Sequence, residues 1–189
     1  MKRIAIFASG SGSNTEVICK HFQDSQNIEV GLVLSNKPNS KVIDRTKRLL
    51  IPSFVFNSEQ LIDGTVLNKL KQQRIDFIVL AGFLKRIPSD IIDAFEDRII
   101  NIHPALLPDY GGEGMYGMNV HNAVHENEEE ETGITIHYVN NEYDEGDIIF
   151  QESIELAPED EPLDICGMIQ ELEHRHYPGI IESLMMELD

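Results

Sequence analysis

The sequence predicts a doubly wound α/β fold: a mainly parallel sheet flanked by helices, with an antiparallel strand pair near the C-terminus. Three observations carry this. Over the first two thirds of the chain, short apolar runs alternate with stretches of helical periodicity, the rhythm of a parallel sheet built from right-handed crossovers. The apolar runs lack polar alternation, as strands do when helices cover both faces. Two late strand-like segments are joined only by Asn140 to Gly146, a connection too short for a parallel crossover.

The elements follow in order. Arg3 to Ala8 is a compact apolar run that ends in Ser9-Gly10-Ser11-Gly12, and helical spacing follows through Val17, Ile18 and Phe22. Glu29 to Leu34 is the second strand, closed by Ser35-Asn36; residues 40–50 are helical and lead to a short strand at Ser53 to Phe56. Glu59 to Gln73 reads as one helix, and Ile75 to Leu80 as a buried strand closed by Ala81-Gly82-Phe83. Arg98-Ile99-Ile100 is a further strand running into Asn101-Ile102-His103-Pro104. A long loop with four glycines covers 104–118, and a helix pattern covers Val120 to Glu126. Strands near Thr132 to Val139 and Asp147 to Ile154 precede a final helix from about Pro162 to Met186, with Pro178-Gly179 as the place where it would be perturbed. The acidic run Glu126 to Glu131 reads as a solvated helix end and turn.

A chain of 189 residues with 41% hydrophobic composition supports one domain with a real core. Fifteen Lys and Arg against 33 Asp and Glu give −18, which argues against a nucleic-acid partner, since such binding rests on neutralising phosphates with basic residues. One phosphate on a small substrate can still be held by backbone amides. The two cysteines, Cys19 and Cys166, lack metal-ligand spacing and read as reduced thiols of a cytoplasmic protein. The apolar start is too short for a signal peptide, and no stretch approaches the ~20 apolar residues of a membrane span.

Two segments could carry chemistry. Asn101 and His103 sit two apart at a strand end and so share a face, and Pro104 forces the chain to turn there. An amide donor beside an imidazole suits holding a carbonyl oxygen and moving a proton; a capped strand end with a satisfied histidine reads equally from the same residues. Gly12, Ser13 and Asn14 close the first strand-to-helix loop, where free amides at a helix start suit an anion. A plain tight turn with a polar helix cap is the alternative. A dinucleotide fingerprint fits poorly, because its third glycine falls at Thr15 and the second strand ends without an acid; no Walker A lysine follows either. Asp144, in the late turn, could orient His103 and raise its pKa, or simply form the turn. His121 and His125, four apart, have a zinc-compatible spacing, but Asn122 stands where a zinc-protease motif has Glu. Solvated helix histidines account for these two, and for His174 and His176.

Taken together these segments resemble the phosphoribosylglycinamide formyltransferases, the folate-dependent enzymes of purine synthesis. The likeness runs through Gly10-Ser11-Gly12-Ser13-Asn14, Ser35-Asn36, Val79 to Phe83, Asn101 to Pro108, Gly133 to His137, Asp144-Glu145-Gly146, Glu173-His174 and Tyr177-Pro178. It implies a single formyltransferase domain over 1–189, with a phosphate- and nucleotide-binding N-terminal half and a folate-binding C-terminal half. It implies 10-formyltetrahydrofolate as co-substrate and no metal. Its partners would be that folate and glycinamide ribonucleotide, with no nucleic acid and no membrane, in a monomer or homodimer. Asn101 would hold the formyl oxygen, His103 would transfer the proton, and Asp144 would raise the histidine pKa. Gly12, Ser13, Asn14 and Glu173 would bind glycinamide ribonucleotide. Leu84, Lys85, Arg86, Ile87, Asn101, Asn140, Asn141 and Asp144 would line the folate. The chain departs from the family after Pro108, where Tyr110 to Met118 replaces a shorter loop. Methionyl-tRNA formyltransferase shares the Asn-x-His core but needs a further domain and positive charge for tRNA. A non-catalytic folate- or nucleotide-binding module and a metal-dependent hydrolase are the readings outside this chemistry.

Overall fold

The computed structural model describes residues 1–188. Seven strands form one sheet: β1 (Lys2–Phe7), β2 (Ile28–Ser35), β3 (Ser53–Val55), β4 (Phe77–Leu80), β5 (Ile99–His103), β6 (Glu131–Tyr138) and β7 (Ile148–Glu155), in the order β3-β2-β1-β4-β5-β6-β7. The first five pair in parallel, whereas β5 with β6 and β6 with β7 are antiparallel. The order reverses between β1 and β4. There the crossovers from β1 and β4 leave in opposite directions and open a crevice beyond the carboxyl ends of the strands.

Helices α1 (Ser13–Phe22), α2 (Lys41–Leu49), α6 (Met118–Glu126) and α7 (Pro162–Glu187) contribute to one layer of core, and α3 (Ser58–Ile62), α4 (Thr65–Gln72) and α5 (Ser89–Ala94) to the other. Strand alternation divides the apolar side chains between them: Ile4 and Ile6 of β1 join the first layer, Ala5 and Phe7 the second. Tyr177 of α7 is fully buried and donates its hydroxyl to the Leu80 carbonyl at 2.9 Å and toward the Ile100 carbonyl at 3.4 Å. One side chain thus ties the long helix to the ends of β4 and β5, the strands that flank the crevice.

The fold class and strand set agree with the sequence reading, and three helical details differ. The single helix expected over Glu59 to Gln73 is two, α3 and α4. The chain breaks at Gly64, which adopts φ 85°, and Asp63 accepts the Thr65 amide at 2.8 Å to restart the helix. Helix α5 went unrecognised because it is short and anchored by one buried residue, Ile91. Helix α7 runs unbroken through Pro178, whose missing amide removes one internal bond, while Tyr177, Pro178 and Ile181 hold the segment in the core. Among the described residues, no helix is long and apolar enough to cross a membrane.

Candidate active site

Strand β5 delivers Asn101 and His103 to the crevice, and its antiparallel neighbour β6 sets His137 opposite Asn101 and Thr135 opposite His103. The Asn101 amide donates from Nδ2 to His137 Nε2 at 3.1 Å, while His137 Nδ1 donates to the Tyr138 carbonyl at 2.8 Å. These contacts fix how the Asn101 amide faces the cleft. His103 is 3% exposed and donates from Nε2 to the Tyr110 carbonyl at 2.7 Å.

Asp144 does reach His103. Its Oδ2 lies 3.6 Å from His103 Nδ1, and its Oδ1 lies 3.6 Å from His137 Nε2. It occupies a left-handed turn position at φ 56° and accepts the Gly112 amide at 3.0 Å, which ties the late turn to the glycine loop. At Gly146 a Cβ would stand 1.7 Å from the Tyr138 carbonyl oxygen, so the turn that aims Asp144 closes only with glycine there.

Asp144 raises the His103 pKa as expected, but the net shift is downward. Burial lowers it below 6.5; Asp144 and the Tyr110 carbonyl oppose this without reversing it. The resting ring is therefore neutral, yet both its nitrogens have acceptors positioned for the cation. Burial also acts most strongly on Asp144, pushing it up, but the His137 contact, the charge on His103 and the Gly112 amide together bring it below its ordinary value.

The segment after His103 is held by buried polar contacts that no local motif announces. Thr135 Oγ1 donates to the Ala105 carbonyl at 2.7 Å and accepts the Leu107 amide at 3.0 Å. Gln151 Nε2 adds bonds to the Leu107 carbonyl at 3.0 Å and to Thr135 Oγ1 at 2.9 Å. The Leu107-Pro108 bond, whose isomer the sequence left open, is cis.

At the other end of the crevice, Gly12 adopts φ 71° directly before α1, and a Cβ there would stand 2.5 Å from Val42 Cγ2. The α1 start packs against α7: Gln170 Nε2 donates to Ser13 Oγ at 2.8 Å, and Asn14 Nδ2 donates to Glu173 Oε2 at 2.7 Å. Burial pushes the Glu173 carboxyl up to about 7, with Asn14 working against it. Arg45 donates to the Ser11 carbonyl at 2.8 Å and pairs with Glu16, so it braces the loop.

Two cavities occupy the crevice. The larger, about 570 Å³, is lined by Gly12, Ser13, Asn14 and Glu173 at one end and by Asn101, His103 and Asp144 at the other. The smaller, about 70 Å³, is lined by Lys85, Arg86, Ile87 and Asn140 with Asn101, His137 and Asp144. They share Phe83, Asn101, Tyr143 and Asp144. Leu84 lines the larger cavity, and Asn141 lines neither. Arg86 is drawn to Glu142 at 3.6 Å and lies over the Tyr143 ring, which holds the 140–144 turn against the 84–87 segment. Each cavity takes residues from both halves of the chain.

Two departures concern histidines. His137 belongs to the cluster although the sequence reading placed it only within the Gly133 to His137 segment and gave it no role. His121 is not solvated: it is 3% exposed and lines the larger cavity. His174 and His176 likewise each have a buried Nε2 with no partner among the described residues.

A doubly wound sheet carrying an Asn–His pair at the end of β5 and an aspartate on the next turn defines the class, and the formyl transferase family model matches residues 2–181; the chain belongs to that family. Within it the chain falls among the phosphoribosylglycinamide formyltransferases. It is 35% identical over 191 residues to the Bacillus subtilis phosphoribosylglycinamide formyltransferase, covering 98% of this chain and 95% of that one. The chloroplastic enzyme of Arabidopsis thaliana is 37% identical over 193 residues, covering 98% of this chain and 66% of its own length. The crystal structure of phosphoribosylglycinamide formyltransferase from Bacillus halodurans superposes with a TM-score of 0.89 at 36% identity, covering 100% of this chain and 97% of that one.

Proposed function

We propose that the chain transfers the formyl group of 10-formyltetrahydrofolate to the amine of glycinamide ribonucleotide, a step of purine synthesis. The observation that carries this reading is the meeting of two cavities at Asn101 and Asp144, beside His103. The larger cavity suits the ribonucleotide, with its phosphate on Gly12, Ser13 and Asn14 and its polar middle near Glu173. The smaller suits the pterin end of the folate, against Lys85, Arg86, Ile87 and the Asn140 turn, with Leu84 on the side facing the larger cavity. The reacting carbon then belongs at the junction.

In this mechanism the amine attacks the formyl carbon, a C–N bond forms and the formyl oxygen takes on negative charge. Asn101, whose amide is oriented by His137, donates to that oxygen. The neutral His103 ring accepts the proton the amine releases. The imidazolium so formed is stabilised by Asp144 and by the Tyr110 carbonyl, then returns a proton as the folate nitrogen leaves. The proposed step uses no metal and no covalent enzyme intermediate. One domain does both tasks, and we place it in the cytosol, where Cys19, pushed up to about 12 by burial, and Cys166 remain thiols.

The test is a spectrophotometric assay of 10-formyltetrahydrofolate turnover with glycinamide ribonucleotide, with free glycine and the unphosphorylated riboside as controls. Turnover is expected with the ribonucleotide and is at least about 100-fold slower with either control, since each lacks the groups that fix the amine. No turnover with the ribonucleotide, or equal rates with free glycine, would sink the assignment.

A further inference from the structure

The glycine loop leads directly into α6, and α6 has one polar residue among its buried positions. Val120, His121 and Val124 are the three. His121 is 3% exposed, yet its Nδ1 is fully buried with no partner among the described residues. The ring lines the larger cavity together with His103, Met115, Cys166 and Glu173. Packing alone does not call for an imidazole here. A leucine or phenylalanine would fill the place without stranding a nitrogen, and desolvating an unpaired polar group costs stability with no return from folding. An imidazole retained at that cost calls for an explanation, and its other nitrogen, Nε2, is the one left to face the cavity.

Its position selects the part of the ligand. The larger cavity runs from the Ser13-Asn14 end to Asn101 and His103. A ribonucleotide lying in it sets its phosphate at the first end and its amine at the second, so the glycyl amide spans the middle. Burial and then His103 disfavour the charged form of His121. Nδ1 is closed off from the cavity, so Nε2 is the atom a ligand can meet; in a neutral ring it takes one hydrogen bond, donated to an amide carbonyl or accepted from an amide N–H.

We propose that His121 is a substrate-binding residue that hydrogen-bonds the glycyl amide of the amino substrate and so sets the amine against the formyl carbon. This rests on the proposed function and deepens it.

The experiment compares two ligands by isothermal titration calorimetry, without turnover: glycinamide ribonucleotide, and ribose 5-phosphate, which has the phosphate and sugar but no glycyl amide. In His121→Phe, which keeps an aromatic ring and removes both nitrogens, affinity for the ribonucleotide falls about tenfold. Affinity for ribose 5-phosphate stays within about twofold of wild type, and His121→Asn recovers part of the lost binding. A ribonucleotide affinity within about twofold of wild type in His121→Phe, or equal losses for both ligands, overturns the proposal. Should His121→Phe not fold, His121→Met carries the same comparison; if neither folds, His121 is structural and the proposal is wrong. Wild-type protein that neither binds nor formylates the ribonucleotide refutes the proposed function instead.

Discussion

Replacing Asp144 with Asn separates the charge of the turn from its shape. The Gly112 amide, now 3.0 Å from Asp144 Oδ2, can bond an Asn Oδ1 equally, so the tie between the turn and the glycine loop survives. What is lost is the negative charge 3.6 Å from His103 Nδ1. Unit charges at that separation interact by about 4–5 kcal/mol at an effective dielectric of ~20. The gap exceeds a hydrogen bond and Asp144 is partly solvated, so about half of that, ~2–3 kcal/mol, is a realistic share of imidazolium stabilisation. The expected loss is then ~30–150-fold in kcat, because the cation forms only on the way to the tetrahedral intermediate. Direction with pH follows from the same contact. Burial already holds the His103 pKa below 6.5 and Asp144 raises it, so removing Asp144 lowers it further. The acid limb of kcat/KM, where protonated His103 stops accepting a proton, therefore moves to lower pH in Asp144→Asn. Steady-state rates from pH 5 to 9 at saturating folate check both expectations. A kcat within about threefold of wild type, or an acid limb that stays in place or moves to higher pH, refutes the role given to Asp144.

Glu173→Gln should stabilise the protein near pH 8 by about 1–2 kcal/mol, read as ~2–8 °C in melting temperature. A carboxyl raised to about 7 favours the fold fully below its unfolded value of 4.5 and loses that contribution as pH rises through 7, so the difference from wild type should vanish near pH 4.5. Gly12→Ala should cost about 1–3 kcal/mol and weaken ribonucleotide binding far more than folate binding, since the new Cβ meets Val42 Cγ2 at 2.5 Å. Adding Val42→Ala should not return it, since Val42 Cβ at 2.6 Å and Cα at 2.9 Å stay in the way, and calorimetric melting of the double variant decides it. Tyr177→Phe strands the Leu80 carbonyl and should lower stability by about 1–2 kcal/mol in urea titrations, with a smaller effect on KM than on unfolding.

The fold was legible wherever burial was two-sided. β1, β2 and β4 read as unbroken apolar runs because helices cover both faces, and the two-layer division of Ile4, Ala5, Ile6 and Phe7 follows from alternation alone. Short elements with a single anchor were not legible. Ile91 holds α5 by itself, and the break between α3 and α4 depends on the conformation of Gly64, which a periodicity count over Glu59 to Gln73 averages away. Pro178 misled for the opposite reason: its local penalty is real, but the apolar seam of Tyr177, Ile181 and Met185 outweighs one lost internal bond.

At the candidate site, the placement of side chains was legible and their loss of water was not. Asn101 and His103 share a strand face as the spacing predicts, and Asp144 meets His103 and raises its pKa as expected, yet burial outweighs that contribution and the net shift is downward. Spacing reveals which charge can stand beside a ring; it cannot reveal how much water the ring has lost, and at His103 the second quantity is larger. The net direction fits the proposed mechanism. A histidine already protonated at neutral pH could not accept a proton from an attacking amine. One whose nitrogens face Asp144 and the Tyr110 carbonyl, but whose burial keeps it neutral, would serve the proposed step as a base at rest and a stabilised acid once loaded. His137 completes the arrangement from the strand beside it, and its register against Asn101 becomes visible only when β5 and β6 pair antiparallel. Those features of the site that depend on depth or on pairing between distant segments had to wait for the fold, and in the proposed mechanism they are the ones that would decide when each proton moves.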